Sequence, residues 1–361
     1  MTTKVHILEP DTEALCGMLA AMGEPKFRGK QVVDWIYKKG IVDPDLMLNV
    51  PKQTREKLRD SFSLAMPDIE SQITSADGTT KLLLRSHRRH MIETVIMRYD
   101  ERTTLCVSSQ VGCKLACSFC QTGKLGFFRH LQTSEILAQL HMANAILAPE
   151  NRKISNIVFM GMGEPLDNYD AVLASVHRMI DEPAYNLSSR HVTVSTSGLC
   201  PQIKRFATES KASLAVSLHS ADPDTRTSLM PINRKYDLVK LKEALMEFQD
   251  SRNRKITIEY ILIRDQTCSP LQAKKLVSFL HGLKAKVNLI PFNDHPGSEY
   301  GRPSDKDIAA FQKYLVDRGY PAPVRYSRGL EVSAACGQLA AKSIGELGDV
   351  PTRGHMVQKT K

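Results

Sequence analysis

The sequence predicts an α/β fold: a partial (β/α)6 barrel preceded by a small, mostly helical and basic accessory domain. Three observations carry this. From about residue 103, apolar runs of strand length alternate with segments of helical periodicity, and six such units follow one another. Consecutive β-α units imply a parallel sheet with helices outside, and six are too few for a closed eightfold barrel. Polar residues and glycines collect where the runs end, the edge at which such folds place their sites.

In chain order, helices are expected over Asp11–Met22, over Phe27–Lys39 (apolar Val32, Val33, Ile36 and Tyr37 at helical spacing) and around Pro51–Phe62. The last carries Lys52, Arg55, Lys57 and Arg59. Thr79–Leu84 and Met91–Arg98 read as two strands around a polar turn. Barrel strands follow at Thr104–Ser109, Ile154–Met160, His191–Thr196, Ser213–His219, Lys255–Ile263 and Lys286–Pro291. Helices are expected at Thr133–Ala148, Tyr169–Ile180, Pro201–Ala207, Leu238–Phe248, Pro270–Leu283 and Ser304–Leu315. The implied organisation is an accessory domain over 1–90, a core over 91–345 and a polar tail over 346–361.

The 361 residues contain 42% hydrophobic and 24% charged residues, which fits a globular chain with an ample core. No apolar run reaches membrane-spanning length, and the N-terminus has no apolar stretch of the secretory kind, so a cytoplasmic enzyme is expected. The net charge of +10 suits a polyanionic partner such as nucleic acid, although a merely basic protein has the same balance.

Three of the eight cysteines form Cys113-x3-Cys117-x2-Cys120, on the loop after the first barrel strand. Three thiolates on one tight loop can bind three irons of a [4Fe–4S] cluster and leave the fourth open to a chelating substrate. Structural zinc is the bland alternative. It wants four closed ligands, and none besides these three lies at close spacing, with His130 the one candidate for recruitment. Gly161-Met162-Gly163-Glu164-Pro165 ends a strand in a glycine-rich turn, where Glu164 can accept from an ammonium group. His219 ends another strand, and both a satisfied core histidine and a ligand contact remain open for it. Cys106 on a strand and Cys336 among small residues read equally as buried structural thiols. Glu93, taken by itself, reads as a solvated strand residue.

The blocks CVSSQVGC, GMGEPL, STSG, SLH, MPIN, NLIPFN and AACGQL occur in one order between about Met91 and Leu339, behind the basic stretch EPKFRGKQVVDWIY. In these blocks the chain resembles the RlmN/Cfr family of radical S-adenosylmethionine (SAM) rRNA adenine methyltransferases. It departs from the family pattern before AACGQL, where Val332-Ser333 replaces the usual acidic residue, and after the fifth strand, where an Asn-Asp pair is usual.

The resemblance implies a radical SAM barrel with one [4Fe–4S] cluster on Cys113, Cys117 and Cys120, and two SAM molecules per turnover. It implies SAM contacts from Gly163, Glu164, Ser195, Ser217, Leu218, His219 and Asn293. Cys336 becomes the S-methylated cysteine, Cys106 the thiol that later forms a transient disulfide with it, and Glu93 the proton acceptor. The implied reaction is methylation at C2 of an adenine in the peptidyl-transferase region of 23S rRNA, with the tRNA adenine next to the anticodon as a second substrate. Flavodoxin or ferredoxin is the implied electron donor, and the protein is expected to act as a monomer. Pro165 in GMGEPL favours the RlmN branch. The competing functions are a Cfr-type C8 methyltransferase conferring antibiotic resistance and a non-catalytic RNA-binding metalloprotein. Phosphate contacts are expected from the basic N-terminal helices and the Arg85–Arg89 turn.

Overall fold

The computed structural model describes residues 4–86, 90–252, 254–294, 298–329 and 337–339. Cys336 and positions 87–89 of the polar turn lie outside the described residues.

Thirteen strands are described: β1 (Val5–His6), β2 (Phe62–Ser63), β3 (Asp68–Thr74), β4 (Thr80–Arg85), β5 (Met91–Arg98), β6 (Thr103–Cys106), β7 (Gln110–Gly112), β8 (Phe127–His130), β9 (Asn156–Phe159), β10 (Val192–Thr196), β11 (Ser213–Ser217), β12 (Ile256–Leu262) and β13 (Ala285–Pro291). Nine of them form one sheet in the order β13-β12-β11-β10-β9-β6-β5-β4-β3. β6 and β9 to β13 pair in parallel, and these are the six barrel strands the alternating pattern predicts. β5, β4 and β3 continue the sheet antiparallel from β6. β3 was not among the expected strands: in Asp68–Thr74 most residues are exposed, so it lacks the apolar alternation that marks a half-buried strand.

Each barrel strand is followed by a covering helix. Tyr169–Ile180 turns Val172, Val176 and Met179 inward, and each fully buried side chain of this kind contributes about 1.5–3 kcal/mol. Thr133–Leu147 begins on a capping box in which Gln132 and Glu135 satisfy each other's backbone groups. A helix over Pro223–Leu229, capped by Asp222, adds to the expected set. The first strand ends at Cys106, earlier than expected, because residues 107–109 turn away to feed β7.

Residues 12–61 carry three helices, Thr12–Ala21, Lys26–Val33 and Lys52–Ser61, the second extended by a wide turn over Asp34–Lys38. Asp11 caps the first by accepting from the Ala14 amide at 2.7 Å. This unit is tied to the barrel's outer helices. Glu9 accepts from the Ser134 amide at 2.9 Å, and Thr12 donates to Asp181 at 3.0 Å. Among the described residues no helix is long and apolar enough to cross a membrane.

Candidate active site

The parallel register brings the strand ends to one cavity, lined by Cys113, Cys117 and Cys120 together with Gly163, Glu164, Ser195, Ser217 and His219. The cysteine loop is shaped by backbone bonds. The Cys113 amide donates to the Gly126 carbonyl at 2.8 Å, the Cys120 amide to the Cys117 carbonyl at 3.1 Å, and the Ser118 amide to the Leu229 carbonyl at 3.0 Å. Ala116 accepts a left-handed backbone to close the turn. Burial pushes all three thiols up, Cys113 to about 12. Cationic irons against them would offset that penalty. Among the described residues no three His, Cys, Asp or Glu side chains gather closely enough to hold a single metal ion. The three thiols nevertheless share one cavity wall, a donor set that fits a multi-iron cluster better than a closed zinc site.

Opposite the loop stands the glycine-rich strand end. Gly163 has a φ of +102°, and a Cβ there would meet Gln110 Cβ at 2.5 Å, so only glycine fits. Gln110 locks the turn. Its side-chain oxygen accepts from the Glu164 amide at 2.8 Å, and its nitrogen donates to Asp167 at 2.8 Å. The Glu164 carboxylate is buried and accepts from the Leu166 amide at 3.0 Å and the Ser197 amide at 2.8 Å. Burial nonetheless raises its pKa against those hydrogen bonds, so a cationic ligand would complete its environment.

His219 resolves the choice left open by its sequence position only in part. It is buried, and it also lines the cavity. Its Nδ1 accepts from the Ile261 amide at 3.2 Å, which places the ring hydrogen on Nε2. Burial and the nearby Arg226 depress its pKa to about 3, so it stays a neutral donor. Phe119 packs edge-on against it, centroids 4.9 Å apart.

Leu218 and Asn293 do not line this cavity. Leu218 is fully buried and contributes its backbone, while Asn293 Nδ2 donates to Ser327 Oγ at 2.6 Å. The Leu218 amide donates to the Glu259 carbonyl at 3.1 Å, and its carbonyl accepts from Arg226 Nε at 3.2 Å. Arg226 escaped sequence reasoning. It is fully buried, and it also donates to the Ser197 carbonyl and to Asn233, both at 2.8 Å. One guanidinium thereby clamps the loops after β10 and β11. No spacing rule marks it, because its partners are carbonyls.

Cys106 lines a second cavity in the barrel lumen, with Val95, Met97, Thr104 and Val158. Met160, Glu259, Ile290 and Leu339 line both cavities, so the two meet. Glu93 lines neither. It is 3% exposed, which corrects its unaided reading as a solvated residue, and its carboxylate pairs with Lys81 at 3.1 Å. It lies two residues from Val95 on β5, and strand alternation puts it on the same sheet face as that lumen residue. Residues 337–339 dock on the cysteine loop. The Gln121 amide donates to the Gly337 carbonyl at 2.7 Å, and Thr122 Oγ1 donates to the Leu339 carbonyl at 2.5 Å. Arg85, a candidate phosphate contact, is partly exposed and pairs with Glu70 at 2.6 Å. Cys16 packs beneath Gly29, and Cys200 is buried at a helix start.

Residues 107–273 match the Radical SAM superfamily, and residues 5–64 match the ribosomal RNA large subunit methyltransferase N-terminal domain. A dual-specificity RNA methyltransferase RlmN from a Nitratiruptor species is 45% identical over 336 residues, 89% of this chain and 94% of that protein. The chain belongs to the RlmN family. A second RlmN, from Nautilia profundicola, is 40% identical over 335 residues, covering 90% of this chain and 95% of the relative. A crystal structure of a radical SAM methyltransferase from Sphaerobacter thermophilus superposes with a TM-score of 0.90 at 42% identity, covering 94% of this chain and all (100%) of that one. The RlmN family assignment accounts for both the barrel and the helical unit before it.

Proposed function

We propose that this RlmN-family chain methylates C2 of an adenine in RNA, in the 23S rRNA peptidyl-transferase region and, in keeping with the dual specificity its relatives' names carry, in tRNA next to the anticodon. The observation that carries the reading is the meeting of two cavities. One holds the three-thiol loop and the SAM-contact candidates, the other holds Cys106, and Leu339, three residues after Cys336, lines both.

A [4Fe–4S] cluster held by Cys113, Cys117 and Cys120, with one iron open to SAM, would supply one-electron cleavage of SAM and so a carbon radical, which C2 chemistry requires because that carbon is not nucleophilic. The chain's own groups set up the rest. Glu164 takes the SAM ammonium in this reading, and the Nε2 hydrogen of His219 donates to a SAM oxygen. Ser195 and Ser217 offer hydroxyls on the same wall. Cys336 carries the methyl group as a thioether before it reaches the base. Glu93 takes the ring proton, and Lys81, 3.1 Å from its carboxylate, orients it. Cys106 attacks the Cys336 sulfur, so that the base leaves and a disulfide remains for an external reductant. Flavodoxin or ferredoxin fits as the electron donor.

The test is mass spectrometry of rRNA and tRNA from cells with and without the gene. Loss of 2-methyladenosine in the gene's absence is expected, whereas 8-methyladenosine dependent on the gene would replace this reading with the Cfr-type one. Cys106→Ala is expected to accumulate a protein–RNA crosslink, and free methylated RNA from that variant would remove Cys106 from the reaction.

A further inference from the structure

Glu259 has no part in the chemistry above. It sits in Ile256–Leu262, a strand otherwise buried and almost wholly apolar, and is 6% exposed. Its side chain stands where the two cavities join. Across the register it faces Ser217 on one side and Asn288 on the other. Asn288 Nδ2 donates to Glu259 Oε1 at 2.8 Å, and Asn288 Oδ1 accepts from Arg325 Nε at 3.3 Å. Arg325 therefore fixes which way the Asn288 amide points, and Asn288 fixes Glu259 Oε1 as an acceptor. Burial lifts the Glu259 carboxyl to about 7, so its neutral form is accessible near neutrality. With Oε1 held as acceptor, the proton belongs on Oε2.

We propose that Glu259 reads the Watson–Crick edge of the adenine to be modified, accepting from the exocyclic N6 amino group at Oε1 and donating to N1 from Oε2. This rests on the RNA reading given above. A neutral carboxyl beside an adenine matches both groups, as an amide side chain does. The base is assigned to the lumen because the groups that orient the carboxyl, Asn288 and Arg325, line the lower cavity, the one with Cys106, and not the upper one, with the cysteine loop. The lower cavity has a volume of about 280 Å3. Tyr99 and Tyr326 with Arg102 and Arg325 stand around it, aromatic and cationic groups suited to a splayed base and its phosphates, while Arg328 on the same wall pairs with Asp77 at 3.3 Å. Arg102 and Arg328 both lie over the Tyr99 ring, at 4.5 and 4.6 Å.

The test uses full-length, anaerobically cluster-loaded protein and two RNA hairpins that differ only in the target base, adenine or hypoxanthine. Hypoxanthine carries N1–H and O6, the reverse pattern. Wild type and E259Q are expected to methylate the adenine hairpin at least ~100-fold faster, since mispaired polar groups in a closed site are costly. E259L and the smaller E259A are expected to narrow that ratio to within about threefold while SAM affinity stays unchanged, the cluster absorbance confirming that each variant is folded. Undiminished discrimination in both deletion variants would overturn the proposal. So would a tenfold loss of SAM affinity with discrimination intact, which would place Glu259 at the adenine of SAM itself. Wild type that loads its cluster and cleaves SAM yet modifies neither hairpin would overturn the RNA reading, and this inference with it.

Discussion

The two cavities are built by opposite means. The upper one is made from short contiguous segments, a cysteine loop and strand-end turns, whose shape is set by their own backbones. The lower one is made mostly from single side chains contributed by many strands, Cys106 from β6, Asn156 from β9, Thr193 from β10, Glu259 from β12 and Asn288 from β13, with one contiguous segment, Arg325–Arg328, beside them. The difference teaches that a site which must grip one invariant cofactor can be written in local motifs. On the proposal above, the site that admits a base is written largely in the register of a whole sheet.

The sharpest way to break this contrast is at the loop. Cys117→Ala should remove the cluster's visible absorbance and reduce methylation to background, read anaerobically after reconstitution. A variant that keeps both would show that the loop is not the cofactor's seat. Next comes the glycine turn. Gly163→Ala forces a Cβ into Gln110 and an L residue into a left-handed backbone, a strain of about 1–3 kcal/mol. SAM affinity should fall by roughly five- to 140-fold, converting that strain at 1.4 kcal/mol per decade. Calorimetry or equilibrium dialysis would measure it.

Arg226→Met tests the clamp beneath the same loops. It leaves the Ser197 and Leu218 carbonyls without their donor, and breaking a buried network of this kind costs about 1–3 kcal/mol. The denaturation midpoint should drop accordingly. SAM affinity should fall more than RNA affinity, which separates the upper cavity from the lower. The smallest effect expected is a slope with pH. His219 is held neutral down to about pH 3, whereas an unfolded histidine takes a proton near 6.5. Its contribution is therefore fully present above about pH 6.5 and is lost as pH falls toward 3, because the unfolded chain binds the proton first. Urea midpoints at pH 7.5 and 5.5 should differ by more in wild type than in His219→Asn.

The same contrast explains what could be read beforehand. Cys113, Cys117, Cys120 and Gly163-Glu164 are neighbours in sequence as well as in space, so spacing alone brought out the three-thiol loop and the glycine turn. The barrel strands were legible because burial on both faces makes each an apolar run, as in Ile256–Leu262. β3 was not, since its exposed face carries no apolar rhythm. Arg226 stayed hidden because it acts through carbonyls contributed by residues 197 and 218, and only the fold assembles them. Glu93 looked like a surface residue, and only the partner strand β4 shows Lys81 beside it. Glu259 did leave a trace: a lone acid in an apolar strand invites a partner, though its sequence cannot say which.

The docking of Gly337 and Leu339 onto Gln121 and Thr122 makes two distant chain segments thermodynamically reciprocal. Whatever rigidifies the cysteine loop lowers the entropy cost of seating residues 337–339, and seating that stretch favours the ordered loop by the same amount. On the function proposed above, loading the cysteine loop with its cofactor and seating residues 337–339 therefore favour one another.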